Sequence, residues 1–136
     1  MKPKVYIAGS IFETDYRDYC HKYYGDKIEI LDPIKENGVE VDKQNNVINR
    51  PVSNKEIVEK DKELIFQSDY VVAYIHKLSI GTLMECMLAF DNNIKLYLIT
   101  HPASNFEKDV WLGYHIDRYF WTIDSCLDTI LLEWNK

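Results

Sequence analysis

Short apolar runs alternate with amphipathic stretches along this chain. Val5-Tyr6-Ile7-Ala8 is the first run, stopped by Gly9-Ser10, and it has the pattern of a buried strand. The stretch from Asp15 to Tyr24 predicts a helix, and Ile28 to Leu31 a second strand ending at Asp32-Pro33. From Ile34 to Pro51 the chain turns polar, with Asn37, Gly38, Asn45, Asn46 and Asn49. A stretch of that length inside a domain is a functional loop or hides a small hairpin. Val39 and Val41, then Val47 and Ile48, supply the hairpin's strands.

Ser53-Asn54-Lys55-Glu56 is a capping box that predicts a helix running to about Gln67. Asp69 to Ile75 is the clearest strand. Gly81-Thr82 then precedes a helix from Leu83 to about Asp91, and Ile94 to Thr100 reads as another strand. A helical turn around Val110 to Tyr114, a short strand near Tyr119 to Thr122 and a last helix from about Asp124 to Trp134 complete the pattern. Nearly continuous apolar strands alternating with helices imply a parallel sheet covered on both faces. Such sheets bind ligands beyond the carboxyl ends of their strands. Those ends are Gly9-Ser10, Asp32, the segment Ser79 to Thr82, and the loop after Thr100.

At 136 residues and 46% hydrophobic, the chain is expected to form a single domain, 1–136, with a real core. Its net charge of −6 argues against a nucleic-acid or acidic-membrane partner, which would need a basic footprint. The apolar runs fall far short of the ~20 residues that span a bilayer. Met1-Lys2-Pro3-Lys4 leads into the first strand with no signal-peptide core, so a cytoplasmic protein is expected. Cys20, Cys86 and Cys126 are three cysteines without C-x-x-C spacing, which indicates neither a disulfide framework nor a zinc site.

Two carboxylates fall where periodicity predicts burial. Ile57, Val58, Leu64 and Ile65 form the stripe of the helix after Ser53, and Asp61 lies within it. Glu85, amid Leu83, Met84, Cys86 and Met87, is the sole charge between Lys77 and Asp91. A buried carboxylate is costly unless compensated, so such positions point to function. Local alternatives exist. Thr82-x-x-Glu85 is itself a capping box, and Asp61 at the stripe's edge would reach solvent. Spacing alone does not bring the two helices' carboxylates together.

Gly9-Ser10 could present N–H groups to a phosphate or sugar, and Ser79-x-Gly81-Thr82 is a second such turn or ordinary turn chemistry. The absence of G-x-G-x-x-G disfavours a dinucleotide. The four histidines lack metal-ligand spacing, so neither metal nor cofactor is expected. Cys86 reads as core, and no hydrolase triad is visible. Trp111, Tyr114, Tyr119, Phe120, Trp121 and Trp134 crowd the C-terminal third as core or subunit contacts.

Together, Val5-Tyr6-Ile7-Ala8-Gly9-Ser10-Ile11, Asp61 with Asp69, and Ser79-x-Gly81-Thr82-x-x-Glu85 resemble the nucleoside 2-deoxyribosyltransferase family. Trp111-Leu112-Gly113-Tyr114-His115-x-Asp117 is similar to its members' tail. Gly-Thr-x-x-Glu alone would be weak, since cytokinin-activating phosphoribohydrolases carry a similar element. The resemblance implies a flavodoxin-like, Rossmann-like five-stranded parallel sheet with helices on both faces, and cleavage of an N-glycosidic bond. It implies Glu85 as the nucleophile that forms a glycosyl-enzyme, Tyr6 as the residue orienting it, and Asp61 serving the base or sugar hydroxyls. A helix N-terminus would favour the ionised Glu85. The substrates implied are a small nucleoside or nucleotide and a nucleobase. A homodimer or larger homo-oligomer is also implied, with Val110, Trp111 and His115 nearest the loop that enters a neighbour's pocket.

Two positions divide the family's substrates. Nucleoside-specific transferases carry an aspartate where this chain has Ser79, as do not the 2′-deoxynucleoside 5′-monophosphate N-glycosidases, which this serine matches. Those hydrolases also share Gly9-Ser10-Ile11, but follow it with a phosphate-binding arginine where this chain has Phe12. Gly9, Ser10, Ile11, Phe12, Ser79 and Gly81 are therefore the expected substrate contacts. Deoxyribose transfer between bases is the leading expectation, monophosphate hydrolysis the alternative, and a non-catalytic nucleotide sensor the third.

Overall fold

The computed structural model describes every residue except Lys43 and Asn45, so Asn45, counted in the polar stretch, lies outside the described residues. The chain runs β1 (Lys4–Gly9), α1 (Thr14–Tyr24), β2 (Glu29–Leu31), α2 (Pro33–Glu36), β3 (Glu40–Val41) and β4 (Val47–Asn49). It continues as α3 (Asn54–Gln67), β5 (Tyr70–Tyr74), α4 (Ile80–Asp91) and β6 (Lys95–Ile99). A 3₁₀ turn (Phe106–Lys108), α5 (Val110–His115), β7 (Arg118–Phe120) and α6 (Ile123–Trp134) follow. Five strands form one parallel sheet in the order β2-β1-β5-β6-β7, and β3-β4 is the expected antiparallel hairpin. This is the flavodoxin-like order, with its reversal between β1 and β5.

Alternation along the strands sorts the core into two layers. Val5, Ile7, Val72 and Ile99 face α1 and α6, whereas Tyr6, Ala8, Val71 and Leu98 face α3 and α4. Both faces are covered, which explains the near-continuous apolar strands. Tyr6 therefore points to the layer that carries Asp61 and Glu85. Cys20, Cys86 and Cys126 are buried free thiols. No helix among the described residues is long and apolar enough to cross a membrane.

Two expectations change. The polar stretch contains a helical turn, α2, because the Asp32 carboxylate accepts from the N–H of Ile34 (3.0 Å) and Pro33 pre-sets the first helical position. Helix α4 begins at Ile80 rather than Leu83, with Ser79 at its N-cap, so Thr82 lies inside it and the Thr82–Glu85 capping box does not form. The C-terminal aromatics, read as core or subunit contacts, divide between buried and exposed positions. Phe120 is buried and Trp134 packs on the core, but Trp111 and Tyr114 are 75% and 74% exposed, and Tyr119 and Trp121 are also exposed.

Candidate active site

Beyond the carboxyl ends of β1, β2 and β5 lies a cavity of about 750 Å³. It sits at the switch in strand order, where the two crossovers diverge and leave a crevice. The loop after β1 contributes Gly9, Ser10 and Ile11, the start of α4 contributes Ser79 and Gly81, and both carboxylates, Asp61 and Glu85, open onto it. The consecutive helices α3 and α4 thus deliver their carboxylates to one place, which spacing could not show. Phe12 is not among the lining residues. It is 40% exposed, and its N–H donates to Ser10 Oγ at 3.3 Å.

The half-buried Glu85 has its Oε2 hydrogen-bonded by the Tyr6 hydroxyl, a contact between β1 and α4. Burial pushes the Glu85 carboxyl up to about 7, the Tyr6 bond works against that rise, and the charge of Asp61 adds to it. The helix N-terminus is expected to favour ionised Glu85, but burial acts in the opposite direction and is the largest influence on this carboxyl. Glu85 lies in the second turn of α4, where the dipole has faded, so desolvation wins. Burial and the neighbouring Glu85 and Asp61 charges hold the Tyr6 hydroxyl well above its usual range, so it remains a donor.

Asp61 is half-buried rather than solvated at a stripe's edge. Burial raises it to about 6, opposed by a hydrogen bond from Asn37 Nδ2 to its Oδ1 at 3.0 Å. Asn37 also bonds the Pro33 carbonyl at 2.8 Å, so α2 anchors the side chain that holds Asp61. Val39 and Val47 of the hairpin region, with Ile57 and Val58 of α3, give one side of the cavity an apolar wall. Gly81 stands out at the start of α4. A Cβ there would meet nothing within 4 Å, so packing does not require glycine, and its bareness leaves room for a ligand to approach the helix.

Two residues went unseen in the sequence. Asn37 looked like one of several loop asparagines. Arg17 lines the cavity although it is only 4% exposed. It falls on the same helix face as the buried Cys20 and Tyr24, so the signal that exposed Asp61 (a charge within an apolar stripe) was present for it too. The exposed Arg50 and Lys62 also line the cavity. Among the described residues no group of three or more His, Cys, Asp or Glu is placed to hold a metal ion.

Neither a family model nor a curated protein matches the sequence. Solved structures do match its shape. A 2-deoxyribosyltransferase from Bacillus psychrosaccharolyticus superposes with a TM-score of 0.69 at 15% identity, over 90% of this chain and 89% of that one. A 2-desoxiribosyltransferase from Leishmania mexicana gives 0.68 at 15% identity, over 95% and 97%. A CMP N-glycosidase from Clostridium botulinum gives 0.61 at 15% identity, over 95% and 98%. Likeness at these identities establishes the fold.

Proposed function

We propose that this protein cleaves the N-glycosidic bond of 2′-deoxyribonucleosides and transfers the deoxyribose to another nucleobase. The observation that carries the reading is the Tyr6-bonded Glu85 carboxylate at the cavity that also holds Asp61. The fold shared with two deoxyribosyltransferases and a CMP N-glycosidase supports it. In the first step an oxygen of ionised Glu85 attacks C1′, the C1′–N bond breaks, and its electron pair leaves on the base. Asp61 or water gives that base a proton. A second base, or water, then attacks C1′ and releases the Glu85 carboxylate. Two inversions return the original configuration. Tyr6 keeps the attacking carboxylate in one orientation, and the apolar surroundings strengthen its attraction for the developing oxocarbenium charge.

A second reading, hydrolysis of 2′-deoxynucleoside 5′-monophosphates by the same nucleophile, is favoured by one feature. Ser10 and Ser79 offer hydroxyls, and Arg50 and Lys62 offer positive charge, at a cavity where an aspartate at position 79 would repel a phosphate. Chromatography after incubation with deoxynucleosides and their 5′-monophosphates, each with and without free base, separates the readings. A new nucleoside only when base is present means transfer; free base from monophosphates alone means hydrolysis. Tight binding without turnover, undiminished in Glu85→Ala, would mean a sensor.

The proposal includes a homo-oligomer whose neighbour completes the pocket. Val110, Trp111 and Tyr114 on α5 are 82%, 75% and 74% exposed, and Ile80 and Met84 on α4 are 73% and 68% exposed. Met84 also lines the cavity, so this apolar surface continues to its mouth. Aromatic-rich exposed surface of this kind marks contact with another chain.

A further inference from the structure

We infer that Arg17 is a positioning residue for this site: its buried guanidinium clamps the loop after β1 and supplies a fixed positive charge behind the carboxylates, without contacting the ligand. The inference rests on the functional reading only in taking Glu85 as the reactive group. Arg17 Nη1 donates to the Ile7 carbonyl at 3.0 Å and to Asp32 Oδ1 at 3.4 Å. Nη2 donates to the carbonyls of Gly9 at 2.7 Å and Ser10 at 3.4 Å. The Nη hydrogens are thus engaged, and the buried Nε has no hydrogen-bond partner among the described residues. A phosphate entering the cavity finds the Nη donors taken by the loop and Asp32, and the one unpartnered donor, Nε–H, buried out of its reach. What the fork does is fix backbone. By drawing the Gly9 and Ser10 carbonyls to itself, it points the following N–H groups, those of Ser10 and Ile11, in the opposite direction within each peptide plane.

The same guanidinium governs a second arm of the site. Asp32 accepts from Arg17, from His21 Nε2 (2.9 Å) in the doubly protonated or Nε2-protonated ring, and from the first N–H groups of α2. Helix α2 leads to Asn37, which holds Asp61. The loop and the Asp61 arm therefore share one root. A planar fork with five donors suits that task, whereas a lysine would meet these acceptors only as a point charge. The groups around the site are Tyr6 on β1, Asp61 on α3 and Glu85 on α4, with Asp32 and His21 beside Arg17. The guanidinium charge favours the ionised forms of Tyr6, Asp61 and Glu85, opposing the burial that raises all three.

The test uses Arg17→Lys, which keeps the charge but loses the fork, and the double variant Arg17→Met/Asp32→Asn. The double variant removes both charges, leaves no unpaired ion, and keeps an N-cap residue for α2. Glu85 is titrated directly by carboxyl ¹³C NMR, assigned with Glu85→Gln, so the readout needs no turnover. The double variant should titrate Glu85 at higher pH than the parent, and Arg17→Lys close to the parent. Arg17→Lys should shift the amide resonances of Ser10 and Ile11. With an active substrate, it should also lower kcat by on the order of a hundredfold, the scale of about a 1 Å misplacement. A folded double variant with the parental Glu85 titration overturns the charge role. An Arg17→Lys protein with unmoved Ser10 and Ile11 amides overturns the clamp, even if the double variant fails to fold. Absence of turnover in the parent protein would sink the proposed function and leave both of these measurements intact.

Discussion

Each end of the sheet holds a tyrosine–glutamate hydrogen bond, and the two have opposite consequences. At the amino end, Glu133 of α6 accepts from the hydroxyls of Tyr97 (2.6 Å) and Tyr70 (3.3 Å). Lys95 and Arg118 also pair with it at 3.4 and 3.6 Å. Burial pushes Glu133 upward, but Tyr97 and Lys95 outweigh it and hold the carboxyl below its usual range. At the carboxyl end, Glu85 has the Tyr6 bond, the like charge of Asp61 and deeper burial, and it rises to about 7. One glutamate is satisfied on several sides and serves the fold. The other is held, among the described residues, by a single donor, with its charge under-compensated, which leaves it the group with most to gain from a developing cation.

The largest effect should come from removing each glutamate in turn. Glu85→Ala should cut turnover by on the order of 10³-fold or more while the protein stays folded. Glu133→Ala should leave turnover within a few-fold but lower the melting temperature. Steady-state assays and thermal melts on both variants read this directly, and a Glu85→Ala protein with normal turnover would erase the distinction.

The tyrosines sharpen it further. Tyr6→Phe should slow turnover by about a hundredfold or less through misplacement of the carboxylate. It should also move the acid limb of the pH–rate profile upward, because the bond it removes favours ionised Glu85. Tyr97→Phe should instead cost about 1–2 kcal/mol of stability, the scale of a hydrogen bond to a charged group, without moving the limb.

A smaller effect is expected at the surface beside the cavity. Trp111→Glu should convert a sedimenting oligomer to monomer and lower activity about tenfold, because truncating an interface aromatic removes more than 1 kcal/mol of association. Mixing Glu85→Ala chains with Trp111-altered chains should restore part of the activity if each pocket draws on two subunits. A fully active parental monomer would exclude the shared pocket.

The smallest effect is a difference in stability with pH. Glu85 is raised in the folded state, so between its ordinary value near 4.5 and about 7 the folded protein binds more protons than the unfolded chain. Its contribution therefore becomes unfavourable as pH rises through that window, and Glu85→Gln should melt higher than the parent at pH 8 but not at pH 4. Glu133 is lowered, so its contribution is present above its ordinary value and lost as pH falls through the folded one. Glu133→Gln should melt lower at pH 7, with the gap closing in acid.

Sequence pattern alone determined the strands, the principal helices and the parallel architecture, because burial on both faces writes itself as apolar runs. It also singled out Tyr6, Asp61 and Glu85 through a family resemblance, and Asp61 and Glu85 as charges on apolar faces. The Asp32-Pro33 start of α2 and the stripe position of Arg17 were legible by the same rules, although local polarity obscured both. Tertiary structure decided the rest. The Tyr6–Glu85 contact spans 79 residues, and Asn37 reaches Asp61 across 24. A local rule assigned Glu85 to a capping box, yet α4 starts three residues earlier, with Ser79 at its N-cap position, and the carboxylate meets Tyr6 of β1 instead. Whether a charge is solvated, capped or held poised depends on which side chains the fold packs around it, and sequence spacing carries no record of those distances.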